Sequence, residues 1–171
     1  MRTVSLCALL LLTLLAPAAV AQDSPRAQVS WVDPETMAET RTYNPRPERP
    51  ETWIEPLAQH LQRSLERRLP QGERMDVTIV DVLRAGRFEP WQRGGLEEVR
   101  ILRDHTPPRI TLAWRHYDAQ GALIDEGQQR LVDSAYGMRS TLDTDPLRFE
   151  KRMLDAWVRD FVRQRSRRDA R

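Results

Sequence analysis

Asp81 is the residue whose surroundings ask most strongly for chemistry. It is a carboxylate inside the most apolar stretch of the chain, Asp76-Val77-Thr78-Ile79-Val80-Asp81-Val82-Leu83. A carboxylate withdrawn from water must be paired, or its pKa rises. A raised carboxyl serves as a general acid or base. A paired one, at a strand end or bulge beside one of the chain's many arginines, serves only as a tie. No second catalytic group stands near Asp81 in the sequence, so the tie is the expectation. The histidines suggest a metal instead, because Asp104-His105 and His116-Tyr117-Asp118 look like matching half-sites. They fall at opposite ends of one strand, roughly 30 Å apart at about 3.3 Å per residue. They cannot share an ion, and His60 stands alone on a helix, so no metal site is expected. Ser134, in Asp133-Ser134-Ala135-Tyr136-Gly137, reads as a turn residue. There is no G-x-S-x-G elbow, H-E-x-x-H pair, phosphate-cradling glycine loop or dinucleotide fingerprint, so no cofactor is expected.

The remaining candidates are for binding. Arg100, Arg109 and Arg115 fall on the polar faces of two strands, and Trp91 lies in a loop beside Phe88 and Pro90. Arginines held on one face would receive an acidic partner. Residues 163–171 carry five arginines and one aspartate, a charge bias that suits an anionic lipid surface or a solvated end.

Where these residues work is written in the first 21 positions. Met1-Arg2 is a charged start, Leu6–Leu15 an apolar run, and Ala19-Val20-Ala21 a small-x-small end. These are the three parts of a secretory signal, cut after Ala21, and they predict a periplasmic or secreted protein. The run is shorter than the about 20 residues a spanning helix needs, and Pro17 interrupts it, so no transmembrane anchor is expected after cleavage. Cleavage removes Cys7, the only cysteine, and with it disulfides, thiolate metal sites and cysteine nucleophiles. Export also takes nucleic acid off the list of partners. What remains is enough for one domain.

The elements that must position the candidates follow from periodicity. Gln28–Asp33 alternates as a short strand, and Asp33-Pro34-Glu35 ends it. Thr36–Pro50 is polar and closes in three prolines, an extended semi-rigid connection. Thr52 with Glu55 fits a capping box. Ile54, Leu57, Ala58, Leu61, Leu65 and Leu69 then make one helical stripe, stopped by Pro70-Gln71-Gly72. Met75–Leu83 is a strand with apolar residues at both parities, which predicts burial on both faces. Residues 97–103 and 109–117 predict a hairpin in which Ile101 faces Ile110 and Val99 faces Leu112. That register puts Arg100, Arg109 and Arg115 together on the polar face. Residues 123–133 form a further strand with a bulge at Gly127. Asp145 caps a last helix whose stripe includes Leu147, Leu154, Trp157, Val158 and Phe161.

The expected fold is α+β, a two-layer sandwich. A mainly antiparallel sheet of four to five strands is covered on one face by two amphipathic helices. The expected divisions are a signal peptide at 1–21, an N-terminal strand and Pro-rich connection at 22–51, the α+β domain at 52–162 and an Arg-rich disordered tail at 163–171.

The order of motifs resembles a family of exported proteobacterial proteins, the domain-of-unknown-function family "thirty-sixteen". The residues that carry the resemblance are Val29-x-Trp31-x-Asp33-Pro34-Glu35, Leu69-Pro70-x-Gly72, Val77-x-Ile79-x-Asp81-Val82-x-x-Ala85-Gly86, Pro107-Pro108-Arg109-Ile110 and Glu150-Lys151-x-Met153-Leu154-x-x-Trp157. The resemblance spans nearly the whole chain after the leader. It implies this architecture and an exported protein, and no activity.

The function expected from these residues is a non-enzymatic binding or interaction module of the cell envelope, with an acidic envelope protein or an anionic lipid surface as partner. Two alternatives stand beside it. One is a carboxylate-dependent hydrolase centred on Asp81. The other is a carrier of a small apolar ligand, which needs a cavity between sheet and helices.

Overall fold

The computed structural model describes residues 25–138 and 143–169. The expected signal peptide and residues 170–171 lie outside them. The elements are β1 (Ala27–Trp31), α1 (Glu51–Arg68), β2 (Arg74–Leu83), β3 (Arg87–Phe88), β4 (Arg100–Ile101), β5 (Arg109–Tyr117), β6 (Leu123–Val132) and α2 (Arg148–Asp169), with short 3-10 turns at Pro34–Thr36, Leu96–Glu98 and Tyr136–Met138. β1, β2, β5 and β6 form one sheet in that order, and β3 and β4 a separate small one. β1 runs parallel to β2 and the other pairs of the main sheet are antiparallel. A parallel pair needs a long crossover, which α1 provides. The fold is therefore the expected α+β arrangement, with two helices over one face of a mainly antiparallel sheet. Among the described residues no helix is long and apolar enough to cross a membrane.

The core lies between the layers. Ile54, Leu57, Leu61 and Leu65 of α1 and Leu154 and Val158 of α2 meet Met75, Val77, Ile79 and Val82 of β2 and Ile110 and Leu112 of β5. Apolar residues occur at both parities of β2 for a local reason. The register with β5 shifts between Ile79 and Asp81, so the buried parity changes from odd to even across the bulge. β2 is thus buried on one face, not both.

The expected hairpin of 97–103 with 109–117 does not form. β4 pairs with β3, and β5 pairs with β2 and β6. Pro107-Pro108 withdraws two backbone donors directly before β5, which disfavours a tight return onto β4. Pairing with β2 also sets Val77, Ile79 and Val82 opposite Trp114, Leu112 and Ile110. That is more apolar surface than Ile101 and Val99 offer. Gly86 instead brings the small sheet in close: its φ is +74°, and a Cβ there would lie 2.6 Å from the Ile101 carbonyl oxygen.

Other local expectations change as well. α1 begins at Glu51, with the Pro50 carbonyl accepting from Ile54 N–H at 3.0 Å. The Thr52–Glu55 capping box is absent because Thr52 Oγ1 donates to the Arg49 carbonyl at 2.7 Å. Gly127 is no bulge. It pairs regularly with Trp114, and an added Cβ would sit 2.8 Å from the indole, so the glycine makes room for the ring. Of the expected N-terminal connection at 22–51, the described part from residue 25 is integral to the fold, because β1 is a strand of the main sheet and Met37 and Glu39 are buried. The expected disordered tail is helical through Asp169, and Arg168 reaches Asp125 of β6 at 3.1 Å. The expected cap is present, with Asp145 Oδ1 accepting from Leu147 N–H at 2.8 Å.

Candidate functional site

The helices leave one face of the sheet open, and its residues follow from the register. One row runs Gln28, Asp76, Arg115, Glu126; the next runs Ser30, Thr78, Ala113, Gln128; a third places Asp81, Thr111 and Arg130 side by side. Arg109 follows, between Leu83 and Val132. Small side chains in the middle row leave a shallow depression of about 620 Å³, bordered by Asp76, Thr78, Ala113, Arg115, Glu126 and Gln128. Arg115 meets Glu126 at 3.4 Å and Arg74 meets Asp76 at 3.0 Å, both pairs in contact with solvent. Arg109 and Arg130 have no ion-pair partner among the described residues.

Of the three arginines expected on one face, the structure keeps two. Arg109 and Arg115 share the open face, six residues and about 20 Å apart along β5. Arg100 does not join them. It lies in β4, where its guanidinium is bonded to Glu39 and to the Gly86 carbonyl at 3.1 Å. Its separation follows directly from the hairpin that does not form. Trp91 is 62% exposed, with the Arg87 guanidinium 5.3 Å from its ring centroid, a cation–π contact at a loop surface. Asp81 sits just past the bulge and accepts from Ala38 N–H at 2.7 Å, so its tie is to backbone rather than to an arginine.

A group that sequence reasoning missed lies at the end of β2. Glu39 is buried, and its carboxylate accepts from Arg84 N–H and Arg84 Nε, each at 2.9 Å, and from Arg100. Glu48 meets Arg84 at 3.2 Å from the solvent side. Burial pushes the Arg84 guanidinium down, but the charges and hydrogen bonds of Glu39 and Glu48 outweigh it and hold the pKa above the ordinary arginine value. Glu150 of α2 is fully buried nearby and accepts from Ala85 N–H at 2.6 Å, while its Oε2 has no partner among the described residues. Five segments thus meet at one knot: the turn after β1, the proline-rich stretch, the end of β2, β4 and α2. A polar connection gives no periodic signal, so nothing in the sequence singled out Glu39.

Burial is the main force on Glu150. It pushes this carboxyl above its ordinary 4.5, against the Ala85 N–H and the Arg84 charge. The folded chain then keeps a proton that the unfolded chain releases above 4.5. Each step upward in pH favours unfolding until the buried acid ionises too. Glu150→Gln keeps an acceptor for Ala85 and cannot ionise. It is expected to gain stability over the parent as pH rises above the ordinary carboxyl value of 4.5, read by urea unfolding at a series of pH values. Parallel pH curves for the two proteins would mean that Glu150 ionises as it does in water.

Between β6 and α2 runs a groove of about 490 Å³, bordered by Trp114, Gln129, Leu131, Trp157, Phe161 and Arg168. Trp114 packs edge-on against Trp157 and Phe161, with ring centroids 5.8 and 6.1 Å away. The histidines are dispersed. His116 is buried with Nε2 2.7 Å from Glu73 Oε2, and His60 Nε2 lies 3.1 Å from Asp155 Oδ2. Among the described residues no three His, Cys, Asp or Glu side chains are grouped to hold a metal ion.

The family model for a protein of unknown function, DUF3016, matches residues 25–160. The chain belongs to the DUF3016 family. The match takes in every strand, α1 and most of α2, so the open face and the buried knot are both parts of the DUF3016 domain. No curated protein and no solved structure matches the chain.

Proposed function

We propose that this DUF3016 protein is exported and acts as a non-enzymatic binding module of the cell envelope. Its docking surface is the open face of the sheet, and its partner is a protein segment rich in acidic residues. The observation that carries this reading is the uncovered face itself, on which Arg109 and Arg130 lack ion-pair partners among the described residues. A carboxylate-bearing segment would satisfy both. Asp76 and Glu126 are interspersed on the same face, and that mixture of signs fits a protein surface better than a uniformly anionic bilayer. Arg100 is not part of the surface. Export rests on the leader pattern of residues 1–21.

A photo-crosslinking residue in place of Ala113, at the centre of the face, tests this in the intact envelope. One defined partner is expected, and Arg109→Glu/Arg115→Glu is expected to reduce its capture by about tenfold or more through like-charge contacts. Unchanged capture in the double variant would discard the face as the site. Binding of the parent to anionic vesicles without any protein crosslink would replace the acidic protein with a lipid surface. Export is read separately, by mass spectrometry of the fractionated protein: the expected N-terminus is Gln22, and an intact Met1 form in the cytoplasm would contradict it.

A further inference from the structure

β6 ends the main sheet with a ten-residue edge. The opposite edge, β1, has five residues, and the Arg26 guanidinium just before it is bonded to the Leu69 and Pro70 carbonyls after α1. Short, tethered edges do not recruit strands, whereas long open ones do. Nothing among the described residues pairs with the outer side of β6. The charge order along it, Glu126-Gly127-Gln128-Gln129-Arg130, is antisymmetric about Gln128.

We propose that β6 is the interface with a second copy of this chain, paired antiparallel about a two-fold axis at Gln128. The two sheets then continue into one, with all helices on the same side. In that register Glu126 of each copy stands opposite Arg130 of the other, giving two symmetric ion pairs on the open face. Gly127 stands opposite Gln129 on the helix side. Other two-fold registers lose this match. Centring on Glu126 or on Arg130 sets like charges face to face, which is unfavourable. Centring on Gly127 leaves Glu126 opposite Gln128, and centring on Gln129 sets it opposite Val132. Asp125, which meets Leu131 in the proposed register, is already held by Arg168 at 3.1 Å. Arg130 has no intrachain ion pair among the described residues, and the second copy supplies one. The groove between β6 and α2 borders the same edge, and the second copy becomes its missing wall.

The test is a charge swap followed by analytical ultracentrifugation of the purified full chain over a range of concentrations. The parent is expected to dimerise. Glu126→Arg and Arg130→Glu are each expected to weaken association about tenfold or more, since each faces two like-charge pairs. Combining them restores the pairs and is expected to recover the dimer. A parent that stays monomeric overturns the proposal, as do single variants that associate normally or a swap that fails to rescue. Both side chains are exposed, and urea unfolding of each variant checks that the fold is kept. In a Cys7→Ser background, Gln128→Cys places two thiols across the axis, and mild oxidation is expected to give a disulfide-linked dimer. Its absence would exclude this register. The inference and the acidic-partner reading share Arg130, and Arg109→Glu separates them: it is expected to weaken capture of the acidic partner and to dimerise like the parent.

Discussion

Replacing Glu39 with glutamine is expected to destabilise the domain by about 3 kcal/mol or more, the cost of removing one partner from a buried ion pair. The carboxylate is buried, and three donors converge on it: the Arg84 backbone, the Arg84 Nε and the Arg100 guanidinium. Glutamine is nearly isosteric but offers one acceptor oxygen, no charge, and an NH₂ that faces other donors. Arg84, itself buried, keeps only Glu48, whose carboxylate is half in water. Two guanidinium groups then face each other without the anion between them. Glu48→Gln removes the solvent-side partner and is expected to cost less than about 1 kcal/mol. Urea unfolding of both variants reads the contrast. Equal, small losses would show that the carboxylate of Glu39 is not what holds the knot. If Glu39→Gln fails to fold while Glu48→Gln is near the parent, the carboxylate of Glu39 is what holds the knot.

The knot also marks the limit of what the sequence discloses. Strand β5 was legible because its alternation from Arg109 to Tyr117 depends only on neighbours two residues apart, and its buried face of Ile110, Leu112 and His116 follows directly. The helical stripes were legible for the same reason. Partnership was not. Ile101 and Ile110 are near in sequence and satisfy a hairpin on paper, yet β5 pairs with β2, a strand that precedes the small sheet in the chain. That choice is settled by Pro107-Pro108 and by the competing surface of β2, neither of which enters a local pattern. The error moved Arg100 onto the wrong face, so one mistaken pairing altered the binding site. The β2 bulge shows a subtler loss. Two apolar parities looked like burial on both faces, whereas one inserted residue had merely changed which parity points inward. Asp81 follows from the same shift, since the bulge sets it beside Thr111 on the open side, within reach of the Ala38 N–H. Glu39 was beyond reach altogether: its partner Arg84 lies 45 residues away, and no spacing rule connects them.

Trp157→Ala is expected to cost about 3–5 kcal/mol, and its effect should fall unevenly across the sheet. The indole is buried near the middle of α2, edge-on to Trp114 at 5.8 Å and tilted against Phe161 at 5.7 Å. Its Nε1 donates to Gln129 Oε1 at 3.2 Å, which ties the helix to the edge strand. α1, by contrast, leans on α2 and on β1, at the other side of the sheet. Truncation therefore leaves β2 under its aliphatic cover, removes the ring partner of Trp114 in β5 and unties β6 from the helix. Amide exchange in β6 should rise more than in β2, because local opening follows the loss of buried contacts around the strand. Trp157→Phe separates the two roles of the side chain. It retains most of the ring packing and forfeits one hydrogen bond to the exposed Gln129, for an expected cost of about 1 kcal/mol beyond the lost ring area. Uniform acceleration in β2 and β6 would mean that the layers come apart together. Acceleration confined to β6 would mean that the edge proposed to receive a second copy is held in shape by one indole, so that the same substitution weakens association before it unfolds the domain.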